Sequence, residues 1–283
     1  MIVTANESAL AQFEKLARLT DDELDLARAA LLIAKGRDAS VDVERYVSEL
    51  EFLAATLGKR LAPDANASLR IGALNQFLFQ EMGFGPNRQD YYDPRNSFLN
   101  EVIDRRKGIP ITLSLVYMEI GRRIGLPLRG VSFPGHFLVK CRLNQGMVVL
   151  DPYAGGASPS MADLQKRLRD ARGGEVSRAI VAGLLVAADK RDILARMLRN
   201  LKAIYMRKEM DETAMSVVEW LMVLNPEAPE EVRDRGLLFE RMECFRAALS
   251  DLERYLKLQP AADDVDDVYA RVIELRQSAA RLN

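Results

Sequence analysis

The 283-residue sequence predicts an α+β fold in which helices flank a small antiparallel sheet. Apolar residues recur at helical spacing over residues 7–84 and again from about residue 165 onward. Between these parts, short stretches alternate apolar and polar residues as β-strands do. Helices and strands therefore occupy separate parts of the chain, which is typical of α+β proteins.

The composition is that of a globular protein without a strong charge preference. Hydrophobic residues make up 48% of the chain and charged residues 29%, and the net charge of −1 gives no general attraction to nucleic acid or anionic membranes. The longest apolar run, residues 179–188, is about half of what a bilayer span needs. The N-terminus lacks the basic and apolar regions of a secretion signal. Cys141 and Cys244 are too far apart for a disulfide framework, so we expect a cytoplasmic protein with no membrane partner.

Three amphipathic stretches predict helices in the N-terminal part. They cover residues 24–33, 41–57 and 69–82. The acidic residues 21–23 are expected in the first turn of the first helix, where the helix dipole favours them. The Gly-Phe-Gly-Pro sequence at residues 83–86 is expected to end the third helix.

The clearest helix is predicted from Pro110 to Ile124. Proline is tolerated in a first helical turn, Gly125 suits a left-handed C-cap, and Pro127 blocks continuation. Apolar residues fall on more than one face of this helix. The pattern therefore predicts a central, buried helix.

Three short strands are predicted after this helix, and the last two form a hairpin. They cover residues 128–133, 136–143 and 147–151, with a turn at Asn144, Gln145 and Gly146. Strand alternation would place His136 and Cys141 on opposite faces. The hairpin is expected to bring Asp151 beside His136.

A repeat of 34 residues is visible in the C-terminal helices. Leu201, Tyr205, Ala214, Leu221 and Pro226 are matched, 34 positions later, by Arg235, Phe239, Ala248, Tyr255 and Pro260. Gly236 fills a glycine position for which the first copy has Lys202. This spacing resembles tetratricopeptide repeats over residues 195–262, and residues 265–282 would then be a capping helix.

Three positions follow the order of a Cys-His-Asp acyl-transfer site. A Gly-Ile-Pro turn opens the central helix at Pro110, the only histidine of the chain is His136, and Asp151 follows fifteen residues later. The chain thus has the histidine and the aspartate, with a proline where the cysteine would stand.

The motifs around these positions resemble the SirB-type bacterial proteins. The resemblance lies in residues 93–102, 106–113, 133–138 and 150–152. It implies a transglutaminase-like (papain-like) core followed by tetratricopeptide repeats. It also implies that the nucleophile position lies fifteen residues before the Gly-x-Pro at the end of the central helix, which is Pro110 when counted from Gly125. The domains would be residues 1–85 as the N-terminal helical part of the core, 86–164 as the core with its His/Asp hairpin, and 165–283 as the repeat domain.

The missing cysteine bears directly on activity. A thiol at a helix N-terminus gains thiolate character, and an adjacent histidine completes its activation. Proline offers neither an ionisable group nor a backbone N–H. Four other residues are candidate substitutes: Ser114 lies one turn deeper on the same face, Thr112 points the opposite way, Cys141 faces away, and the direction of Ser132 is undetermined.

His136 has a structural interpretation beside the functional one. A buried histidine bonded to Asp151 would fix the hairpin, whether or not it also binds a ligand. A single histidine without a cysteine partner supplies too few ligands for a metal site. We therefore expect no metal and no cofactor.

Four polar residues are candidates for lining the cleft with His136 and Asp151. Amide and guanidinium groups could bind a carboxylate, amide or phosphate, and the candidates are Asn96, Asn100, Arg105 and Arg106. Alternatively, the asparagines cap turns and the arginines are solvated or pair with Glu101 and Asp104. Tyr91 and Tyr92 would form a cleft wall or cover the edge of the core.

Residues 165–208 carry 12 Lys and Arg against 4 Asp and Glu. This excess suits a solvated helical face or a dock for the acidic N-terminal helices, and nucleic acid is a less favoured partner.

Three functional hypotheses follow. The leading one is a non-catalytic binding or regulatory protein whose cleft binds a peptide or small ligand and whose repeats bind a protein partner. The second is an amide or ester hydrolase in which His136 activates water. The third is a transcription regulator that contacts DNA through Arg196, Arg199 and Lys202.

Overall fold

The computed structural model describes residues 5–143 and 146–281, and the chain divides into two compact units, Met1–Met197 and Leu198–Asn283. The α+β class is confirmed, because helices precede and follow a three-stranded antiparallel sheet. Within the described part of the chain, no helix combines the length and the apolar character that crossing a bilayer requires.

Four helices begin the first unit: α1 (Ala5–Ala17), α2 (Leu26–Arg37), α3 (Val43–Gly58) and α4 (Ala67–Asn75). Asp25, Asp42 and Asn66 cap α2, α3 and α4, and each side chain accepts a hydrogen bond from the backbone N–H three residues later. The placement of residues 21–23 in a first helical turn was wrong, because α2 begins after its Asp25 cap. A π-helical turn, Gln76–Glu81, prolongs α4.

The next two helices are α5 (Leu99–Arg105) and α6 (Pro110–Arg123). Two short parallel strands, β1 (Gly85–Pro86) and β2 (Lys107–Gly108), tie the chain before α6 to the end of the N-terminal helices. Every residue from Pro110 to Gly121 is buried, so the prediction of a central helix is confirmed. Gly125 has a φ of +82°, as the predicted left-handed C-cap requires.

The sheet has the order β3-β4-β5, with β3 (Leu128–Val131), β4 (Leu138–Leu143) and β5 (Gly146–Leu150) antiparallel to their neighbours. In the hairpin, Val139 pairs with Leu150 and Leu143 with Gly146. The predicted turn residues Asn144 and Gln145 lie outside the described residues. His136 was expected within a strand but lies in the turn that precedes β4.

Two helices, α7 (Met161–Arg172) and α8 (Arg178–Leu184), pack on the sheet. Leu164, Leu168 and Val181 share a buried cluster with Val131, Phe133 and Leu138. The sequence analysis assigned residues 165–197 to the repeat domain, whereas the first compact unit extends to Met197. The reason is apolar packing, because α7 and α8 bury two leucines and a valine against the sheet and the turn before β4.

The second half of the basic segment, residues 165–208, forms α9 (Lys190–Arg207). The first residues of this helix contact the N-terminal helices. Lys190 Nζ donates to the carbonyl oxygens of Leu24 (2.7 Å) and Asp22 (3.2 Å). Arg191 Nε donates to the carbonyl of Ala17 (2.8 Å). These two cations therefore dock the segment onto the connection between α1 and α2, as one of the sequence alternatives predicted.

The second unit contains the end of α9 followed by α10 (Asp211–Leu224), α11 (Pro229–Arg241), α12 (Phe245–Leu258) and α13 (Val265–Arg281). The 34-residue repeat is confirmed by the backbone, since Glu209 and Glu243 occupy equivalent turns with φ of 55° and 58°. Val268, Val272 and Leu275 of α13 pack into the apolar cluster of α11 and α12. The last helix thus covers the final repeat, as a capping helix does.

Close packing explains the glycine of the second repeat. A Cβ atom on Gly236 would lie 2.7 Å from Leu252 Cδ2 and 3.2 Å from Asp251 Cβ, both on α12. In the first repeat, Lys202 replaces the glycine, and its Nζ reaches Glu231 and Asp234 of α11 at 2.5 Å each. The first copy therefore substitutes an ion pair for close helix contact.

We expect Gly236→Ala to lower the free energy of unfolding by about 1 kcal/mol, because the overpacking cost exceeds the gain in helix propensity. Gly72→Ala is the matched control, since Gly72 also lies inside a helix but a Cβ there would meet no atom within 4 Å. The control should be neutral or stabilising. Chemical denaturation followed by circular dichroism measures both, and equal effects would contradict the packing argument.

Candidate functional site

The structure brings His136 and Asp151 together at hydrogen-bond distance. His136 Nε2 lies 2.9 Å from Asp151 Oδ1, and the two residues are 7% and 1% exposed. His136 closes a tight turn, in which its backbone N–H donates to the carbonyl of Phe133 (3.0 Å) and Gly135 supplies a left-handed φ of +67°. Because β4 and β5 are antiparallel, the turn before β4 and the residue after β5 meet at one end of the sheet.

Four donors converge on the Asp151 carboxylate. Oδ1 accepts from His136 Nε2 and from the backbone N–H groups of Tyr153 (3.1 Å) and Ala154 (3.2 Å), and Oδ2 accepts from Arg167 Nη2 (2.9 Å). A carboxylate in this environment acts only as an acceptor, so we assign the shared hydrogen to Nε2. The other ring nitrogen, Nδ1, has no hydrogen-bond partner among the described residues.

Arg196 of α9 holds the turn that carries His136. Its Nη1 donates to Ser132 Oγ (2.7 Å) and to the carbonyl of Phe133 (3.0 Å), and its Nη2 donates to the carbonyl of His136 (2.8 Å). The guanidinium also lies 5.7 Å from the ring centre of Phe137. Burial lowers the pKa of Arg196 from its ordinary value, although the group stays charged throughout the physiological range.

The other two cations proposed for DNA contact are also engaged within the chain. Arg199 Nε donates to Glu231 Oε1 (2.7 Å), and Lys202 Nζ lies between the carboxylates of Glu231 and Asp234. With Arg196 bound to the turn of His136, none of the three offers a free cation. The geometry therefore gives no support to the DNA-binding hypothesis.

Pro110 is buried at the first position of α6. It shares a helical face with Ser114 and Tyr117, four and seven residues further on. The Tyr117 hydroxyl donates to Asn75 Oδ1 (2.8 Å), and Asn75 Nδ2 donates to the carbonyl of Gly156 (3.1 Å). Since Gly156 belongs to the loop after β5, this face of α6 is turned toward the loop that carries the aspartate.

Asn96 serves as a structural brace for the loop before α5. Its Nδ2 donates to the carbonyls of Asp90 (2.7 Å) and Tyr91 (3.2 Å), and its Oδ1 accepts from Asn87 Nδ2 (3.1 Å). Its carbonyl accepts from Thr112 Oγ1 (2.7 Å), at the start of α6. The polar groups of its side chain are thus used within the protein.

The other three cleft candidates lie on α5 or directly after it and contact different partners. Arg105 lies 3.5 Å from Asp93, and Arg106 lies 3.5 Å from Glu49 with its guanidinium over the ring of Phe84. Asn100 neighbours the hydroxyl of Tyr46 on α3. Neither these three side chains nor Asn96 has a described contact with His136 or Asp151. The direction of each side chain depends on how α5 packs against α2 and α6, which the sequence did not reveal.

Tyrosines line the approach to the imidazole. The ring of Tyr153 lies edge-on to His136, with ring centres 5.8 Å apart, and Tyr91 lies edge-on to Tyr92 at 5.2 Å. Burial raises the pKa of Tyr153, and Arg88 nearby lowers it. Burial also raises the pKa of Tyr91, and the charge of ionised Tyr153 raises it further.

Sequence reasoning missed Arg167, Arg196 and Asn75, each of which reaches the site from a distant part of the chain. Their side chains carry no local pattern that marks a partner. One local signal was present: an aspartate followed by Pro152 is typical of an N-cap, and it predicts the N–H donors of Tyr153 and Ala154 to Asp151.

Comparison with known proteins extends the resemblance to nearly the whole chain. The model of the transglutaminase-like superfamily matches residues 44–199, and a tetratricopeptide repeat model matches residues 201–272. A UPF0162 protein of Xylella fastidiosa (strain Temecula1) is 38% identical over 265 residues, covering 93% of this chain and 94% of the relative. A UPF0162 protein of Vibrio cholerae is 29% identical over 240 residues, covering 84% and 88%. Protein SirB1 of Salmonella typhimurium is 29% identical over 217 residues, covering 75% and 78%.

We expect Asp151→Ala to lower the free energy of unfolding by about 3 kcal/mol. The substitution leaves the buried imidazole and two backbone N–H groups without their acceptor, and it removes the ion pair with the partly exposed Arg167. Asp163→Ala is the control, because that carboxylate bonds Ser160 at the exposed start of α7. A fall no larger than that of the control would show that Asp151 does not organise the site.

Proposed function

The chain belongs to the transglutaminase-like superfamily, among the UPF0162 and SirB1 proteins, and we propose that it is a non-catalytic binding or regulatory protein. In this proposal the vestigial site, formed by Pro110, His136 and Asp151, binds a peptide or small ligand. The repeats of the second unit bind a protein partner. The single observation that carries the proposal is the proline at the first position of α6.

Residue 110 decides the chemistry because a covalent mechanism needs an atom that forms a bond to carbon. A proline ring supplies none, and its nitrogen has no hydrogen to donate to an oxyanion. The histidine and aspartate can orient and accept a proton, but they cannot replace the nucleophile. Loss of a triad nucleophile leaves only the contribution of binding and orientation.

The four candidate substitutes give little support to a displaced nucleophile. The Ser114 hydroxyl is fully buried without a partner, and Thr112 donates to a backbone carbonyl. The Ser132 hydroxyl accepts from Arg196. Cys141 is fully buried, and burial raises the pKa of its thiol, which disfavours the reactive thiolate.

The proposed protein partner rests on the repeat unit. Stacked helical repeats present extended surfaces that suit protein binding. We place the protein in the cytoplasm, since both cysteines are free and the exposed Cys244 has no disulfide partner.

A second candidate function is an amide or ester hydrolase in which His136 activates a water molecule. The observation that favours it is the complete His136–Asp151 pair, whose second ring nitrogen can accept a proton. It differs from the leading proposal in requiring turnover.

Restoring the nucleophile tests the leading proposal. In a Cys244→Ser background, Pro110→Cys should introduce a thiol that p-nitrophenyl acetate acylates in a stoichiometric burst, because a helix N-terminus and a neighbouring imidazole both favour thiolate. The background protein itself should give no burst, since its remaining thiol, Cys141, is buried. Stopped-flow absorbance at the nitrophenolate band measures the burst.

The control for this experiment adds His136→Ala to the Pro110→Cys protein, which should slow acylation about 100-fold or more if the imidazole activates the thiol. A folded Pro110→Cys protein whose introduced thiol stays unreactive would contradict the assignment of residue 110 to the nucleophile position.

Turnover by the unaltered protein separates the two candidate functions. A panel of amide and ester substrates should yield no product above the uncatalysed rate. Turnover that His136→Ala abolishes would instead establish the hydrolase and overturn the binding proposal.

A further inference from the structure

We infer that the vestigial site recognises an uncharged hydrogen-bond donor, a hydroxyl or an amide N–H, through His136 Nδ1. Arg167 is the positioning residue, because it holds the Asp151 carboxylate that binds the other ring nitrogen. This inference rests on the proposed binding function and names the class of ligand. It excludes carboxylates and phosphates, which the arginines at the end of α5 were expected to bind.

The first step concerns which nitrogen is free. Asp151 accepts from Nε2 at 2.9 Å and has three other donors, so it offers the imidazole only lone pairs. The neutral ring must then carry its hydrogen on Nε2. Its remaining polar atom, Nδ1, is a bare acceptor, and a ligand satisfies it by donating.

The second step concerns charge. Arg167 Nη2 lies 2.9 Å from Asp151 Oδ2, so one guanidinium already balances the carboxylate. The carboxylate therefore has no unbalanced charge to offer a cationic ligand at the imidazole.

The third step concerns the surroundings that a ligand meets. The positive charge of Arg88 opposes the rise in the pKa of Tyr153, and that of Arg196 opposes the rise in the pKa of Tyr91. Arg196 also binds the turn that carries His136, so positive charge surrounds this part of the site. These charges disfavour an ammonium or guanidinium ligand. The N–H groups of Arg196 already donate to Ser132 and to two carbonyls. This arginine therefore has no pair of N–H groups at the site for bidentate binding of an anion.

The arginines at the end of α5 do not open another route to anion binding at the imidazole. Arg105 and Arg106 pair with Asp93 and Glu49, and neither has a described contact with the imidazole. The acceptor nitrogen has no hydrogen to offer an anion, and the positive charge nearby opposes a cationic donor, so the site selects a neutral donor.

The chain offers a direct test because His136 is its only histidine. Nitrogen-15 spectra of the imidazole at pH 8, above the ordinary imidazole pKa of about 6.5, report one residue without overlap. We expect an unprotonated Nδ1 and a protonated Nε2. The opposite tautomer would overturn the inference whatever the enzymatic assays give.

Three probes of nearly equal shape separate the ligand classes: acetate, acetamide and acetamidinium. Acetamide should shift the Nδ1 resonance saturably at millimolar concentrations, and the two ions should leave it unchanged. A saturable shift with acetate or acetamidinium, or none with acetamide, would overturn the ligand class. The binding proposal would stand in that case, since it is tested separately by turnover of the unaltered protein and by the reactivity of the Pro110→Cys thiol.

Arg167→Ala tests the positioning role, because it removes the N–H donor that holds Asp151 Oδ2. The acetamide-induced shift of the Nδ1 resonance at pH 8 should then need a several-fold higher acetamide concentration to saturate, and Arg167→Lys, which keeps a donor, should restore the original concentration. Arg169→Ala, at an exposed arginine on the same helix, is the control and should behave as the unaltered protein. An Arg167→Ala protein that binds acetamide as the unaltered protein does would refute the role of Arg167.

Discussion

The site depends on one buried carboxylate. Asp151 follows the last strand of the sheet and binds donors from three parts of the first unit: the turn before β4, its own 3₁₀ turn and helix α7. A buried charge is tolerated only when it is balanced and fully hydrogen-bonded. The imidazole, the hairpin end and the Arg167 face of α7 are therefore fixed together, and none can move without leaving a buried polar group unpaired.

The proline at the head of α6 shows how fold and chemistry make different demands on one position. The first N–H groups of a helix have no partner within the helix, so a proline there costs the fold almost nothing. Thr112 supplies the local bracing through Ile109 and Asn96. Under the proposed assignment, the same proline offers neither the thiol nor the N–H on which acyl transfer depends. The fold can therefore keep this helix start without a nucleophile.

The sequence predicted those features that arise from short-range patterns. The limits of α6 follow from Pro110 and Gly125, the strand pairing follows from alternation, and the 34-residue repeat follows from its own periodicity. The missed features depend on packing: Arg167, Arg196 and Asn75 reach the site only after distant helices are in place. The directions of Arg105 and Arg106 likewise depend on how α5 packs against α2 and α6. The start of α2 shifted because Asp25, and not the acidic run before it, provides the cap.

A complete histidine–aspartate pair is not by itself a sign of catalysis. In this protein the pair is embedded in contacts that have structural reasons to persist, since the turn of His136 is held by Arg196 and the carboxylate by four donors. The atom that distinguishes a functional site from a purely structural one is Nδ1. Nδ1 has no hydrogen-bond partner in the described part of the protein, and a binding site needs such a group for its ligand. The imidazole is oriented with Nε2 bound to Asp151 and with Nδ1 available to a ligand, which favours a binding function. The proline at the proposed nucleophile position argues against covalent catalysis.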